Sequence, residues 1–333
     1  MPTRRHRHDR SLPRLSRGLR LHHLIHDPRR RIRVTTRNRE RARPTPVRIG
    51  IVGTGALGTD LLCKVLGSRF LRCVLFAGRR PDSPGLLEAT RRGVPTSIEG
   101  IDAVLDHIDE IDMVLDVSTA DGAARHWRAL EPTGKSFIDL TPAKLGKFCI
   151  PVLNLAECLE LQYASMVTCG GQAAVPMARA ICDATDGLDY LEIVSTTSSA
   201  SVGPATRANI DEYVVATENA TRQFCHTNET KTILVLNPAK PGVVMRNAVA
   251  ATTSKKIDLD LLRKRVSEME TKIRSYVPGY QVVVPPVSSG NTVQLTLRVE
   301  GLGDWLPDYA GNLDVISCAA VALAEERARE LTW

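Results

Sequence analysis

From Val47 onward, short apolar runs alternate with segments of helical spacing. The run Val47–Val52 ends in glycines, and apolar positions in the following Thr59–Leu66 fall on one helical face. Further apolar runs at Leu71–Ala77, Met113–Val117, Ser136–Leu140 and Met166–Thr168 are interleaved with helical patterns at Ile101–His107 and Ala120–Leu130. Strands separated by helices predict a parallel, doubly wound α/β sheet whose right-handed crossovers bring the strand C-termini to one edge. After a helix expected over Ala173–Ala184 the period changes. Tyr190–Thr197 and Val293–Val299 alternate with period two, and Lys231–Leu236, Val243–Met245 and Gln281–Val284 read as strands between them. With helices at Asn209–Gln223 and Leu259–Tyr276, this part reads as a second, α+β domain built on a mixed sheet. Val315–Glu330 reads as a C-terminal helix that returns to the first domain.

The glycines after the first strand, Gly53-Thr54-Gly55-Ala56-Leu57-Gly58, form a complete G-x-G-x-x-G between a strand and a helix. Gly53 suits the tight turn, Gly55 admits a pyrophosphate and Gly58 allows close helix–strand packing, so the segment predicts a Rossmann dinucleotide site. A tight strand–helix turn without a ligand is the alternative. The second strand ends in Gly78-Arg79-Arg80 where a ribose-binding acid usually lies. Arginine there can accommodate a 2′-phosphate, which opens the site to NADP as well as NAD; a solvated arginine pair is the other reading.

A second glycine-rich stretch, Met166-Val167-Thr168-Cys169-Gly170-Gly171-Gln172, sets a cysteine at a strand-to-helix turn. The helix N-terminus that follows favours a thiolate, and the sheet topology brings Cys169 to the same edge as the Gly53–Gly58 turn. Against this, a free cysteine commonly packs as a small hydrophobe. A nicotinamide cofactor and a cysteine in one cleft suit oxidation of an aldehyde through a covalent thioester. Five of the eight histidines lie before Val47, and His107, His126 and His226 sit in no glycine-rich or strand-end context, so no histidine base for Cys169 is expected.

Composition narrows the setting. Residues 1–46 hold 15 arginines, no lysine and three acids, a net of +12, which leaves −5 on the remainder of a chain whose total is +7. The basic balance therefore belongs to the first 46 residues, which read as a disordered Arg-rich extension, with a nucleic-acid-binding arm or a transit peptide as alternatives. Eight cysteines without CxxC pairs argue against a disulfide frame or a zinc site and for a reducing, cytoplasmic setting; no metal is expected. No apolar run approaches the roughly 18 residues of a membrane helix, and neither membrane nor nucleic acid is an expected partner.

Residues 47–330 resemble the acylating acetaldehyde dehydrogenases, coenzyme-A-dependent enzymes that act with a 4-hydroxy-2-oxovalerate (4-hydroxy-2-oxoacid) aldolase. The resemblance is carried by GTGALGTD at Gly53–Asp60, DLTPA at Asp139–Ala143, MVTCGGQA at Met166–Ala173, GPATRANIDE at Gly203–Glu212, LNPA at Leu236–Ala239, YVPGY at Tyr276–Tyr280 and LPDYAGNLD at Leu306–Asp314. It implies that Cys169 is the acyl-thioester nucleophile and that NAD is contacted by Thr54–Leu57 and by Ser201-Val202-Gly203-Pro204-Ala205-Thr206-Arg207-Ala208-Asn209, with Asn312 at the nicotinamide end. Arg207 is then a plausible anion clamp and Asn312 a neutral amide partner. The resemblance also implies acyl transfer to coenzyme A, a homodimer within a heterotetramer with the aldolase, and a place in aromatic hydrocarbon catabolism. The expected division is 47–168 as the NAD-binding domain, 169–306 as a catalytic and dimerisation domain, and 307–333 as the C-terminal helix packed on the first domain. The chain departs from the family at Asn247, where relatives carry an aspartate near the cysteine, and asparagine cannot take a proton. It also departs at Gly78-Arg79-Arg80, in a shorter stretch between Tyr280 and Val293, and in residues 1–46. Two other functions stay open on the sequence: a phosphate-dependent aldehyde dehydrogenase, and a low-activity cofactor-binding subunit of an aldolase.

Overall fold

Glycine and proline punctuate the first half into short parallel strands joined by helices. A computed structural model describes residues 45–332 apart from 186 and 228. The extension expected over 1–46 lies outside the described residues but for Thr45 and Pro46. The strands and helices run in the order β1 Val47–Val52, α1 Ala56–Gly67, β2 Leu71–Ala77, α2 Pro84–Arg91, β3 Thr96–Ser97, α3 Ile101–Asp106, β4 Met113–Asp116, α4 Ala120–Leu130, β5 Ser136–Asp139, β6 Lys147–Cys149, α5 Pro151–Leu159, β7 Tyr163–Met166 and α6 Cys169–Cys182. There follow β8 Tyr190–Ser198, α7 Pro204–Ala208, α8 Ile210–Cys225, β9 Thr230–Asn237, β10 Met245–Thr252, α9 Leu259–Arg274, β11 Tyr280–Ser289, β12 Thr292–Val299 and α10 Gly311–Thr332.

The first sheet is parallel throughout, ordered β3-β2-β1-β4-β5-β7-β6. Its central strands read as unbroken apolar runs because both faces are covered. On one face Ile49, Ile51 and Phe76 pack with Leu61 and Leu62 of α1 and Ile316, Ala319 and Leu323 of α10. On the other, Val52, Leu75 and Phe137 pack with Val104 of α3 and Leu130 of α4. Strand order reverses direction between β1 and β4, which opens a crevice at the carboxyl ends of these strands. The C-terminal helix thus packs against the first sheet and α1, as expected.

The second sheet, ordered β11-β12-β10-β8-β9, is mixed: β8 and β9 are parallel and the remaining pairs antiparallel. Its inner face packs beneath α6, α8 and α9 through Leu191, Ile193, Val249 and Leu295. The register pairs Val194 with both Ile233 and Ala248, Ala248 with Thr296, and Thr296 with Val284, so these residues share the opposite face. There Ile233, Val235, Val284 and Val287 are about 40% exposed, a broad apolar surface for a sheet face.

Three expectations need correction. The strand placed at Met166–Thr168 is Tyr163–Met166, and the following helix starts at Cys169 rather than Ala173 because the Thr168 hydroxyl caps it, accepting from Gly171 N at 2.9 Å. The strand placed at Val243–Met245 starts only at Met245, since Pro241 and Gly242 hold Val243 and Val244 out of the ladder. Elements β3, β6, α2 and α5 were not anticipated; the two strands are too short to show a period, and both helices open on a proline at N1.

Candidate active site

The Gly53–Gly58 turn lies at the β1/β4 switch point, and its three glycines differ in what a side chain would meet. At Gly53, with φ of +116°, a Cβ would sit 2.7 Å from the Val117 carbonyl oxygen, and at Gly58 it would sit 1.9 Å from the Gly53 oxygen. At Gly55 it would meet nothing within 4 Å. The outer glycines are therefore needed for the turn and for packing, and the middle one leaves open space over the N-terminus of α1. That terminus has no side-chain cap and no acid in its first turn, so its N–H groups face the cleft unscreened.

Two adjoining cavities share Gly55, Ala56, Val117 and Ser118. The first, about 540 Å³, is lined by Gly53, Thr54, Arg79, Arg80 and Ser83, with His126 and Trp305 on its walls. The second, about 510 Å³, extends past Leu57 and Gly58 to Cys169, Lys144, Tyr213 and Asn312. Both glycine-rich stretches singled out in the sequence thus meet in one cleft. Of the loop expected to contact a cofactor, Ser201, Val202, Gly203, Thr206 and Asn209 line the second cavity, and Pro204-Ala205 open α7. Ala208 lies off the lining, and Arg207 is turned onto its own loop, donating to the Val202 carbonyl at 3.1 Å and the Ser199 hydroxyl at 2.9 Å. In this arrangement it braces the loop. Asn312 spends its amide on Ser201: Oδ1 accepts from the hydroxyl at 2.6 Å and Nδ2 donates to the carbonyl at 3.2 Å, locking α10 to the loop at the cavity wall.

Cys169 is the first residue of α6, and that helix start is held from three sides. Thr168 caps it, Gln172 donates to the Cys149 carbonyl at 2.7 Å, and Tyr280 donates its hydroxyl to the Ala173 carbonyl at 2.7 Å. The half-buried Sγ lies 3.8 Å from the Tyr213 hydroxyl, whose oxygen accepts from Gly170 N at 3.0 Å. Burial pushes the thiol above its ordinary value, opposed in turn by Tyr213, the Gly170 N–H and the charge of Lys144. The helix N-terminus therefore does not win alone.

Lys144 adopts a left-handed backbone, φ 51°, and donates from Nζ to the Met166 carbonyl at the end of β7. Burial lowers its ammonium to about 8, with the Asp139 carboxylate and Cys169 acting against that fall. Asp139 is itself raised by burial, while accepting from Thr141 N at 2.7 Å and the Tyr163 hydroxyl at 3.0 Å. Asn247 does not touch the sulfur. Fully buried on β10 and paired in register with Ser195 of β8, it donates from Nδ2 to the Ser195 hydroxyl at 2.7 Å and faces the Gly170 carbonyl at 3.5 Å. Lys144, Tyr213 and Ser195 were missed from sequence. Lys144 follows the Asp139–Ala143 segment directly, and a lysine just beyond a strand end was the signal available. None of His107, His126 and His226 lines the Cys169 cavity; His126 is bonded through Nδ1 to Asp116 at 2.6 Å on the wall of the other cavity.

Away from the cleft, Asp60, Asp304 and Asp314 converge closely enough to hold a cation, and the Lys64 ammonium stands among them at 2.9, 3.1 and 2.7 Å. Among the described residues no helix is long and apolar enough to cross a membrane.

The family described as "Prokaryotic acetaldehyde dehydrogenase, dimerisation" matches residues 169–307. The chain is 61% identical over 284 residues to acetaldehyde dehydrogenase 2 of Salinispora arenicola, covering 85% of this chain and 96% of that protein. It is 47% identical over 281 residues to the acetaldehyde dehydrogenase of Pectobacterium atrosepticum, covering 84% and 95%. A crystal structure of aspartate semialdehyde dehydrogenase II from Vibrio cholerae superposes with a TM-score of 0.60 at 15% identity, covering 86% of this chain and 99% of that one, a likeness of fold. With relatives of this identity spanning most of its length, the chain belongs to the acetaldehyde dehydrogenase family.

Proposed function

We propose that the protein is an acylating aldehyde dehydrogenase that converts an aldehyde, NAD(P)⁺ and coenzyme A into acyl-CoA and NAD(P)H through a thioester on Cys169. The observation that carries this reading is Cys169 at the start of α6 in the same cleft as the Gly53–Gly58 turn, with Lys144 and Tyr213 beside it. The uncapped N-terminus of α1 and the open space over Gly55 fit the pyrophosphate of a dinucleotide, with Thr54, Ala56 and Leu57 along its path and Asn312 at the far end. When bound, the nicotinamide supplies the hydride acceptor. The protein's own part is to hold Cys169 as a thiolate at the aldehyde carbon, form the C–S bond, and carry the acyl group until the coenzyme A thiolate attacks the carbonyl and Cys169 leaves. The Lys144 charge supports the thiolate and the carbonyl oxygen as it gains charge. Arg79 and Arg80 line the cavity at the end of β2 in place of an acid, which favours use of NADP beside NAD.

The exposed apolar face of the second sheet supports a homodimer built through residues 169–306; the further partner in this reading is an aldolase that would supply the aldehyde. Initial rates over an aldehyde panel, with NAD and NADP and with and without coenzyme A, test the function. Turnover that depends strongly on coenzyme A and is lost in Cys169→Ser supports it; equal rates without coenzyme A, or activity retained in that variant, contradicts it.

A further inference from the structure

Behind Cys169 lies a set of buried polar side chains that the thioester chemistry alone does not require. Tyr213, Ser195 and Asn247 come from α8, β8 and β10, and their polar ends meet around Gly170. The space there is so confined that a Cβ on Gly170 would lie 2.1 Å from the Tyr213 oxygen and 2.5 Å from Ser195 Oγ. Tyr213 is 6% exposed, Ser195 1% and Asn247 0%. Three hydroxyl and amide groups buried together cost stability unless their hydrogen bonds are arranged to satisfy one another.

We propose that Asn247, Ser195 and Tyr213 form a one-way hydrogen-bond relay that points the tyrosine proton at Cys169 Sγ and so stabilises the thiolate where a histidine base would otherwise act. The proposal rests on the reading of Cys169 as the nucleophile. Its direction follows from the amide. The same atom of Asn247 faces two oxygens, Ser195 Oγ at 2.7 Å and the Gly170 carbonyl at 3.5 Å. A carbonyl oxygen only accepts, so the atom facing it is the NH₂ group and not Oδ1. Ser195 therefore accepts from Asn247 and keeps its own hydroxyl proton to offer to the Tyr213 oxygen, its neighbour over Gly170, where a Cβ would lie 2.5 Å from the one and 2.1 Å from the other. The tyrosine oxygen also receives the Gly170 N–H at 3.0 Å. As a thiol, Cys169 donates from Sγ to this oxygen at 3.8 Å; once the sulfur has lost its proton, the tyrosine oxygen still accepts from Gly170 N and Ser195, and its own proton is left for the thiolate. Tyr213 is the group in contact with the reacting atom; Ser195 and Asn247 position it. The unpartnered Oδ1 of Asn247 is the cost of this orientation.

An aspartate at 247 would reverse the relay. An ionised carboxylate accepts only, so it would draw the Ser195 proton, Ser195 would accept from Tyr213, and the tyrosine proton would turn away from the sulfur. Within this chain's surroundings Asn247 is thus suited to the task, and Asn247→Asp weakens thiolate formation.

The test is the pH dependence of iodoacetamide alkylation at Cys169, followed by peptide mass spectrometry in the full-length protein, alongside turnover. Tyr213→Phe raises the alkylation midpoint by about one to two pH units, the worth of a hydrogen bond to an ion. Asn247→Asp also raises it, and the same substitution made in a Ser195→Ala background loses most of its effect, because the intermediate hydroxyl is gone. An unchanged midpoint in Tyr213→Phe, or a lowered one in Asn247→Asp, overturns the relay. An unshifted Tyr213→Phe profile with Cys169→Ser inactive rejects the relay and leaves the thioester reading standing. A shifted profile with turnover surviving in Cys169→Ser rejects the thioester reading and the catalytic use of the relay with it.

Discussion

Gly170→Ala probes the most crowded point of the site. The added methyl would lie 2.1 Å from the Tyr213 hydroxyl oxygen and 3.2 Å from Tyr213 Cζ, with Ser195 Oγ at 2.5 Å. Ordinary carbon–oxygen contact requires the tyrosine to retreat by about 1 Å, which removes it from hydrogen-bond reach of both Gly170 N and the sulfur. The tyrosine is wedged in a packed interface of α8 with α6, so the insertion costs about 1–3 kcal/mol as overpacking. At roughly 2–4 °C per kcal/mol for a domain of this order, the melting temperature falls by about 2–12 °C. Loss of a hydrogen bond to the thiolate removes a further factor of about ten or more from turnover at neutral pH. Gly67→Ala is the control, because a Cβ at the last position of α1 meets nothing within 4 Å. Circular dichroism melts and steady-state rates on both variants read the two effects. A Gly170→Ala protein that melts and turns over like the wild type would refute the packing argument and the role given to Tyr213.

Three further outcomes follow from the same geometry. Lys144→Met slows Cys169 alkylation below pH 8, where the ammonium is charged and favours the thiolate; as the buried lysine's value is lowered to about 8, wild-type stability relative to the variant rises between pH 8 and 10.5, where the unfolded chain holds a proton that the folded one has released. Chemical denaturation at a series of pH values checks that slope. Lys64→Met strands the buried Asp60 and Asp314 carboxylates and lowers stability by about 3–5 kcal/mol near neutral pH, the deficit narrowing in acid as Asp60, raised by burial, protonates, measurable by urea unfolding. Gly58→Ala sets a Cβ 1.9 Å from the Gly53 oxygen and deforms the turn, so NAD(P)H binding followed by fluorescence titration weakens at least about tenfold while the fold persists.

The long, periodic elements were legible from the chain. β2 and α4 occupy the spans their apolar patterns predict, and the change from buried parallel strands to half-buried alternating ones marks the passage from the first sheet to the second. The meeting of Gly53–Gly58 with Cys169 was also legible, because strand C-termini in a doubly wound sheet share an edge. What surrounds the sulfur was not. Tyr213 is 44 residues from Cys169 along the chain, and its arrival depends on how α8 packs against α6. Ser195 and Asn247 are neighbours only through the register of β8 with β10, which local pattern does not encode. Arg207 was legible only in part: its charge and position after a Gly-Pro turn suit an anion site, and the sequence does not reveal that the Val202 carbonyl and the Ser199 hydroxyl of its own loop accept from it.

The central claim is that Cys169 carries the acyl group. Its most direct test is the intact mass of the protein after brief exposure to an acyl-CoA without reduced cofactor, the reverse of the proposed transfer. The account predicts that the wild-type protein gains one acyl group, mapped to the Cys169 peptide and discharged by added coenzyme A, and that Cys169→Ser gains none. An unmodified wild-type protein that is nonetheless active, or equal acylation of Cys169→Ser, would contradict it.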